Sequence, residues 1–350
     1  MLSDDDIEKI ANRVFEKLLM KGSEHGPLMH QLSLINKTAD DVLMHHTVGD
    51  FAIINKIKIY GPPSRYQPNP NAQGAGNYVI FYAYTFVPKN VCHEEKYPLI
   101  VFPHGGVHSN FGTFYTFLIR ELIAQGYLII APEYRGSTGY GKQLYELIDY
   151  GGLENQDTVA CRDWMVENNR MVDPNRIGIM GWSHGGLHAL MNVFEYPERY
   201  QVAQASVPVA DLIARMGYKT QNYRDLYEAK YHIGESAYDN VAEYKRRSPA
   251  WNVPEYVSGK YPPLLIHSAV NDQDVNVFEV EHLIKSLKEK NWDFEYKIFP
   301  KSPGGHFFSR LDTKFSKGVR GEIYNFLAKY LDPPSGNPLE EFIGSPNPLE

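Results

Sequence analysis

Gly181-Trp182-Ser183-His184-Gly185-Gly186 decides the reading of this chain. The hexapeptide fits G-x-S-x-G, and its surroundings fit the structure that motif needs. Before it runs Arg176-Ile177-Gly178-Ile179-Met180, a short apolar stretch bounded by Asp173-Pro174, which reads as a buried strand. After it runs Leu187-His188-Ala189-Leu190-Met191, which reads as the start of a helix. A strand turning sharply into a helix strains the serine and exposes its hydroxyl at the sheet edge. The glycines matter because the two backbones come too close for side chains. The helix N-terminus adds N–H donors and a positive dipole end beside the reacting oxygen.

Strands and helices alternate around this point. Leu99-Ile100-Val101-Phe102 runs into Pro103-His104-Gly105-Gly106, and Phe114 to Gln125 reads as helix. Tyr127 to Ala131 is the next buried strand, and Asp157 to Asn168 is helical. Beyond the hexapeptide come strands at Gln201 to Val209, Leu264 to Ser268 and Phe294 to Phe299, with helices at Glu279 to Lys290 and Lys317 to Leu331. Continuous apolar strands spaced by amphipathic helices mean an α/β protein: a mostly parallel sheet covered on both faces.

Upstream, Phe51 to Tyr60 and Tyr78 to Val87 suit antiparallel entry strands, separated by a Pro/Asn/Gly-rich loop. Ile7, Ile10, Ala11, Val14, Phe15, Leu18 and Leu19 fall on one face of an N-terminal helix capped by Ser3. The expected organisation is therefore an N-terminal helix with entry strands over 1–95, a main body over 96–332, and a disordered Pro/Gly/Asn-rich tail over 333–350. The segment 212–261 breaks the alternation, and is expected to be either a lid-like insertion or a peripheral helical excursion.

Composition excludes several function classes. Hydrophobic residues are 43% and charged residues 22%, ordinary for a globular protein. A net charge of -7 argues against nucleic acid as the main partner. No stretch of about 20 apolar residues suggests a membrane span, and no signal peptide is visible. Cys92 and Cys161 form no disulfide framework; Cys161 reads as a small buried hydrophobe. No P-loop, dinucleotide fingerprint or zinc spacing appears, so no cofactor and no metal are expected.

A serine hydroxyl needs a base within hydrogen-bond reach. In strand-turn-helix serine sites the acid and then the histidine follow the serine in chain order, on loops after later strands. Asn271-Asp272-Gln273-Asp274-Val275 follows one such strand, and Pro303-Gly304-Gly305-His306 follows the next. His306 is the candidate base: His282 falls within a helix pattern and His267 within a strand. Asp272 is the candidate acid, first after its strand and spaced D-x-x-V to Val275, with Asp274 as a loop-capping rival. The oxyanion donors are expected to be the N–H of His184 and that of Gly106, with Val107 the next candidate. His104 is expected to brace its loop, Arg135 to make a structural ion pair, and Trp182 to pack under the turn, while Asp211 could line the site.

Pro103-His104-Gly105-Gly106, the run Tyr134-Arg135-Gly136-Ser137-Thr138-Gly139-Tyr140-Gly141, Asp173-Pro174-Asn175-Arg176, the hexapeptide, Ser248-Pro249, Asp272 and His306 together resemble the catalytic domain of the prolyl oligopeptidase (S9) family. The resemblance covers about residues 95 to 332. It implies the α/β-hydrolase fold and a triad of Ser183, Asp272 and His306. Departures are visible: the family's H-G-G-P reads His104-Gly105-Gly106-Val107, its H-G at a strand end reads His267-Ser268, and His104 stands where some members have an oxyanion-binding tyrosine. Only about 95 residues precede the resembling part, too few for the family's β-propeller. The expectation is a serine hydrolase acting on a small carboxylic ester. The alternatives are an S9-type peptidase acting on short peptides, and a non-catalytic binding protein on the same scaffold.

Overall fold

A computed structural model describes residues 25–65, 71 and 76–344; the helix expected over Ser3 to Leu19 lies outside them. In chain order the elements are α1 (His25–Val48), β1 (Ala52–Pro63), β2 (Tyr78–Pro88), β3 (Tyr97–Val101), α2 (Thr116–Ala124), β4 (Leu128–Glu133), α3 (Lys142–Tyr145), α4 (Leu153–Asn168), β5 (Val172–Trp182), α5 (His184–Glu195), β6 (Val202–Ser206), α6 (Leu212–Tyr218), α7 (Gln221–Glu228), α8 (Val241–Arg246), β7 (Leu264–Ala269), α9 (Val277–Glu289), β8 (Phe294–Phe299) and α10 (Lys314–Leu331). All eight strands form one sheet in the order β1-β2-β4-β3-β5-β6-β7-β8. The β1–β2 and β2–β4 pairs are antiparallel, and every pair from β4 through β3 to β8 is parallel.

The pleat explains why the central strands read as unbroken apolar runs. Leu99 and Val101 of β3 face one core, with Leu128 and Ile130 of β4. Ile100 and Phe102, with Ile129 and Ala131, face the other. Both faces are covered, so apolar residues occupy both sides of these stretches. On the first face lie α4, α5 and α9, through Cys161, Leu187, Leu190, Val280 and Leu283. On the second lie α1, α2 and α10, through Met44, Leu118, Leu122, Ile323 and Leu327. Each such side chain contributes about 1.5–3 kcal/mol relative to exposure. The outer strand β1 alternates instead: Ala52 and Ile54 are buried, Ile53 and Asn55 exposed.

Two elements differ from the sequence expectations. Helix α1 has no counterpart in the apolar periodicity, because Leu32, Ile35, Val42 and Leu43 lie exposed while the buried positions include Lys37. A polar anchor works there beside the buried Met44 and Val48. The Lys37 ammonium donates to Asp41 (2.6 Å) and to the Phe111 carbonyl (2.8 Å), and Asp40 accepts from the Thr113 N–H (3.0 Å). The tail expected to be disordered is instead packed over residues 333–344. Leu339 is buried, the Asn337 amide donates to the Gly321 carbonyl (2.8 Å), and the Ser335 N–H to the Gln125 carbonyl (3.2 Å). The segment 212–261 carries the short helices α6 to α8, whose Tyr227 and Tyr244 enter the first core.

Candidate active site

β5 ends at Trp182 and α5 begins at His184, so Ser183 is the whole turn. Its φ of 59° and ψ of -121° are strained for a residue with a side chain. Hydrogen bonds hold the strain in place. The Ser183 N–H donates to the Ser206 carbonyl (3.0 Å), and the Ser183 carbonyl accepts from Leu187 (3.1 Å) and Val209 (3.2 Å). The flanking glycines are a packing requirement: a Cβ on Gly181 would lie 2.2 Å from the Gly185 carbonyl oxygen, and one on Gly185 would lie 2.3 Å from that of Pro103. Trp182 is buried beneath the turn, and its Nε1–H donates to the Ser309 hydroxyl.

The loop after β7 carries Asp272 and the loop after β8 carries His306. His306 Nδ1 lies 2.7 Å from Asp272 Oδ2. A carboxylate only accepts, so Nδ1 carries a proton, and in the neutral ring the lone pair sits on Nε2. Asp272 Oδ1 meanwhile accepts from the N–H groups of Asp274 (2.8 Å) and Val275 (2.9 Å). The two loops are stitched together by Asn271, whose amide donates to the Ser302 carbonyl (2.9 Å) and whose Oδ1 accepts from the Ser302 N–H (2.9 Å). A Cβ on Gly305 would lie 2.9 Å from the Asn271 carbonyl oxygen, so the histidine loop rests directly on the acid loop.

Asp274 has a different setting. Its carboxylate lies 3.6 Å from His306 Nε2 and is held by Lys219 (2.5 Å) and Arg215 (3.2 Å). Burial pulls its pKa up, but Arg215 and Lys219 outweigh burial and leave it below the ordinary value. Through these two cations the segment 212–261 reaches the site; among the described residues it lines no part of the pocket that holds Ser183.

That pocket, about 310 Å³, brings together Ser183, His306, Gly105, Gly106, Tyr115 and Arg310, among others. The loop bearing the glycines packs on the turn: a Cβ on Gly105 would lie 2.9 Å from the Trp182 carbonyl oxygen. The Gly105 N–H donates to the Tyr115 hydroxyl (2.9 Å). The next residue, Gly106, has a φ of 79°, which a glycine adopts freely. His184 is the first residue of α5, so its N–H has no acceptor one helical turn back. His104 braces the loop. It is fully buried, stacked on Tyr134 at 4.2 Å, and bonded to the Ser137 hydroxyl (2.9 Å). Burial lowers its pKa to about 3, so the ring is neutral.

The other expectations resolve simply. Arg135 makes a buried two-pronged pair with Asp157 (2.8 and 2.7 Å). Asp211 does not line the pocket; it caps α6 by accepting from the Ile213 and Ala214 N–H groups, and it pairs with His282 (2.7 Å). Cys92 and Cys161 are free thiols. Glu154, His184 and His188 form a buried group whose ligand-capable atoms lie within 4.8 Å of one another. Burial pushes Glu154 up to about 8 and His184 down to about 3. No local sequence pattern marks Tyr115, Arg310 or the loop-tying role of Asn271.

The model of the prolyl oligopeptidase family matches residues 114–333. The chain belongs to the prolyl oligopeptidase family. Human acylamino-acid-releasing enzyme is 26% identical over 262 residues, 74% of this chain and 34% of the human protein. An uncharacterized peptidase of Bacillus subtilis, YuxL, is 27% identical over 247 residues, 70% of this chain and 36% of its own. Among solved structures, Pyrococcus horikoshii acylaminoacyl peptidase superposes with a TM-score of 0.65 at 19% identity, over 83% of this chain and 44% of that one. That likeness shows the α/β-hydrolase fold. The chain spans about a third of the length of the curated relatives it matches. No helix among the described residues is long and apolar enough to cross a membrane.

Proposed function

We propose that this chain is a serine peptidase acting on short peptides through an acyl-enzyme. The Ser183 hydroxyl attacks the substrate carbonyl while His306 Nε2 takes its proton. Asp272 holds the Nδ1–H and stabilises the imidazolium. The N–H groups of His184 and Gly106 receive the oxyanion. His306 then gives the proton to the leaving amine, the C–N bond breaks, and a water repeats the sequence to free Ser183 and the acid.

The observation that carries this reading is the 2.7 Å contact of His306 with Asp272 behind a pocket that Ser183 shares. The peptidase names of the relatives favour a peptide over the small carboxylic ester expected from sequence. Hydrolysis of an N-acetylated dipeptide panel, followed by chromatography of the released amino acids, tests it. Ser183→Ala is expected to lose at least about a thousandfold in kcat/KM, since triad members act as a unit. Cleavage of activated esters with no peptide cleavage would return the reading to an esterase. Turnover of neither would support a binding protein.

A further inference from the structure

Arg310 is held beside the proposed nucleophile by the same short segment that carries His306. Its N–H donates to the Phe307 carbonyl (2.8 Å), and the preceding Ser309 accepts from Trp182 under the serine turn. The guanidinium carbon lies 4.9 Å from the Phe114 ring centre and 4.7 Å from that of Phe307. The two rings meet edge to face at 6.0 Å. Two aromatic faces fix the cation in the wall of the pocket without neutralising it.

Its charge balance sets it apart from four buried arginines. Arg135 is paired with Asp157, Arg215 with Glu279, Arg247 with Asp149 and Arg320 with Glu121. Among the described residues Arg310 makes no ion pair, and its Nε is shut off from solvent with no hydrogen-bond partner. The Tyr115 hydroxyl is its neutral neighbour; Asp272 and Asp274 act on it only at longer range. Neither acid is free to approach, because Asp272 is taken by His306, and Asp274 by Lys219 and Arg215. A half-buried guanidinium with no ion partner and an unpartnered Nε suits a carboxylate, which it can grip with two parallel bonds.

We propose that Arg310 makes this pocket selective for substrates bearing a carboxylate close to the scissile bond. The proposal rests on the assignment of Ser183 as nucleophile. The carboxylate could belong to the leaving side, as a free C-terminus one residue beyond the bond, or to the acyl side, as an acidic acyl group.

Two substrate pairs separate these sources: N-acetyl-Ala-Ala as free acid against its amide, and 4-nitrophenyl hydrogen succinate against 4-nitrophenyl butyrate. Wild type, Arg310→Gln and Arg310→Lys are compared at equal concentrations of fluorophosphonate-titrated sites, so that only folded enzyme is counted. The wild type is expected to favour the carboxylate member of one pair by about tenfold or more in kcat/KM, carried by KM. Arg310→Gln is expected to erase that preference, and Arg310→Lys to keep a weaker one by supplying a point charge. If Arg310→Gln yields no titratable sites, the fall in preference with Arg310→Lys decides alone. Equal turnover of both members by the wild type, or an unchanged preference in the variants, overturns the proposal. Hydrolysis that needs Ser183 but ignores the carboxylate rejects this inference alone. Hydrolysis that survives Ser183→Ala rejects the functional reading beneath it.

Discussion

His306 Nδ1 and Asp272 Oδ2 are 2.7 Å apart, whereas Asp274, two residues on, lies 3.6 Å from the other ring nitrogen. The two acids therefore face opposite sides of one imidazole. Asp272→Asn would present an amide that can donate to Nδ1, which favours the wrong tautomer and leaves Nε2 protonated. The expected loss in kcat is about a thousandfold or more. Asp274→Asn removes a charge that Lys219 and Arg215 already balance, and is expected to cost at least tenfold less than Asp272→Asn. Steady-state kinetics of both variants on one substrate check the order.

Asn271 ties together the two loops that carry Asp272 and His306. Asn271→Ala leaves the Ser302 N–H without its acceptor, a cost of about 1–3 kcal/mol. Because the damage falls on the alignment of His306, activity is expected to drop by about tenfold or more while the fold persists. Circular dichroism melts beside kcat measurements separate the two effects; equal activity would show that the stitch is dispensable.

The glycine at 185 is required by the Pro103 carbonyl oxygen, 2.3 Å from any added Cβ. Neither backbone can yield without moving the serine turn or the glycine loop. Gly185→Ala is expected to destabilise by about 1–3 kcal/mol and to lower activity as well. A variant with wild-type urea midpoint and wild-type turnover would contradict this packing account.

Much of this was legible in the sequence, and the reason is local. β3 and β4 are buried on both faces, so Leu99 to Val101 and Leu128 to Ala131 read as unbroken apolar residues. The turn at Ser183 is written in five consecutive residues, and the loops of Asp272 and His306 follow their strands directly. What stayed hidden depends on contacts between distant segments. Helix α1 is anchored by Lys37 reaching Phe111, 74 residues away, beside Met44 and Val48. Asn271 acts through Ser302, 31 residues on, and Arg310 through the ring of Phe114. No period or motif encodes such meetings.

Acid stability should report Glu243. Hydrogen bonds from Arg246 lower its pKa most and, with Arg247 also contributing, outweigh burial, which raises it, so it lies far below the ordinary glutamate value of 4.5. The unfolded chain therefore binds this proton more readily, and stability rises with pH in that window. The contribution is complete above about pH 4.5 and is lost as pH falls toward the depressed folded value. Glu243→Gln is expected to flatten the fall in urea midpoint between about pH 5 and 3; an unaltered slope would contradict the assignment.

Covalent labelling reads the reactivity of the Ser183 hydroxyl oxygen directly. After treatment with a fluorophosphonate, intact-mass and peptide mass spectrometry should find a single adduct on Ser183, and none on Ser183→Ala. An adduct on another residue, or an unlabelled wild-type protein whose fold is intact, would contradict the account.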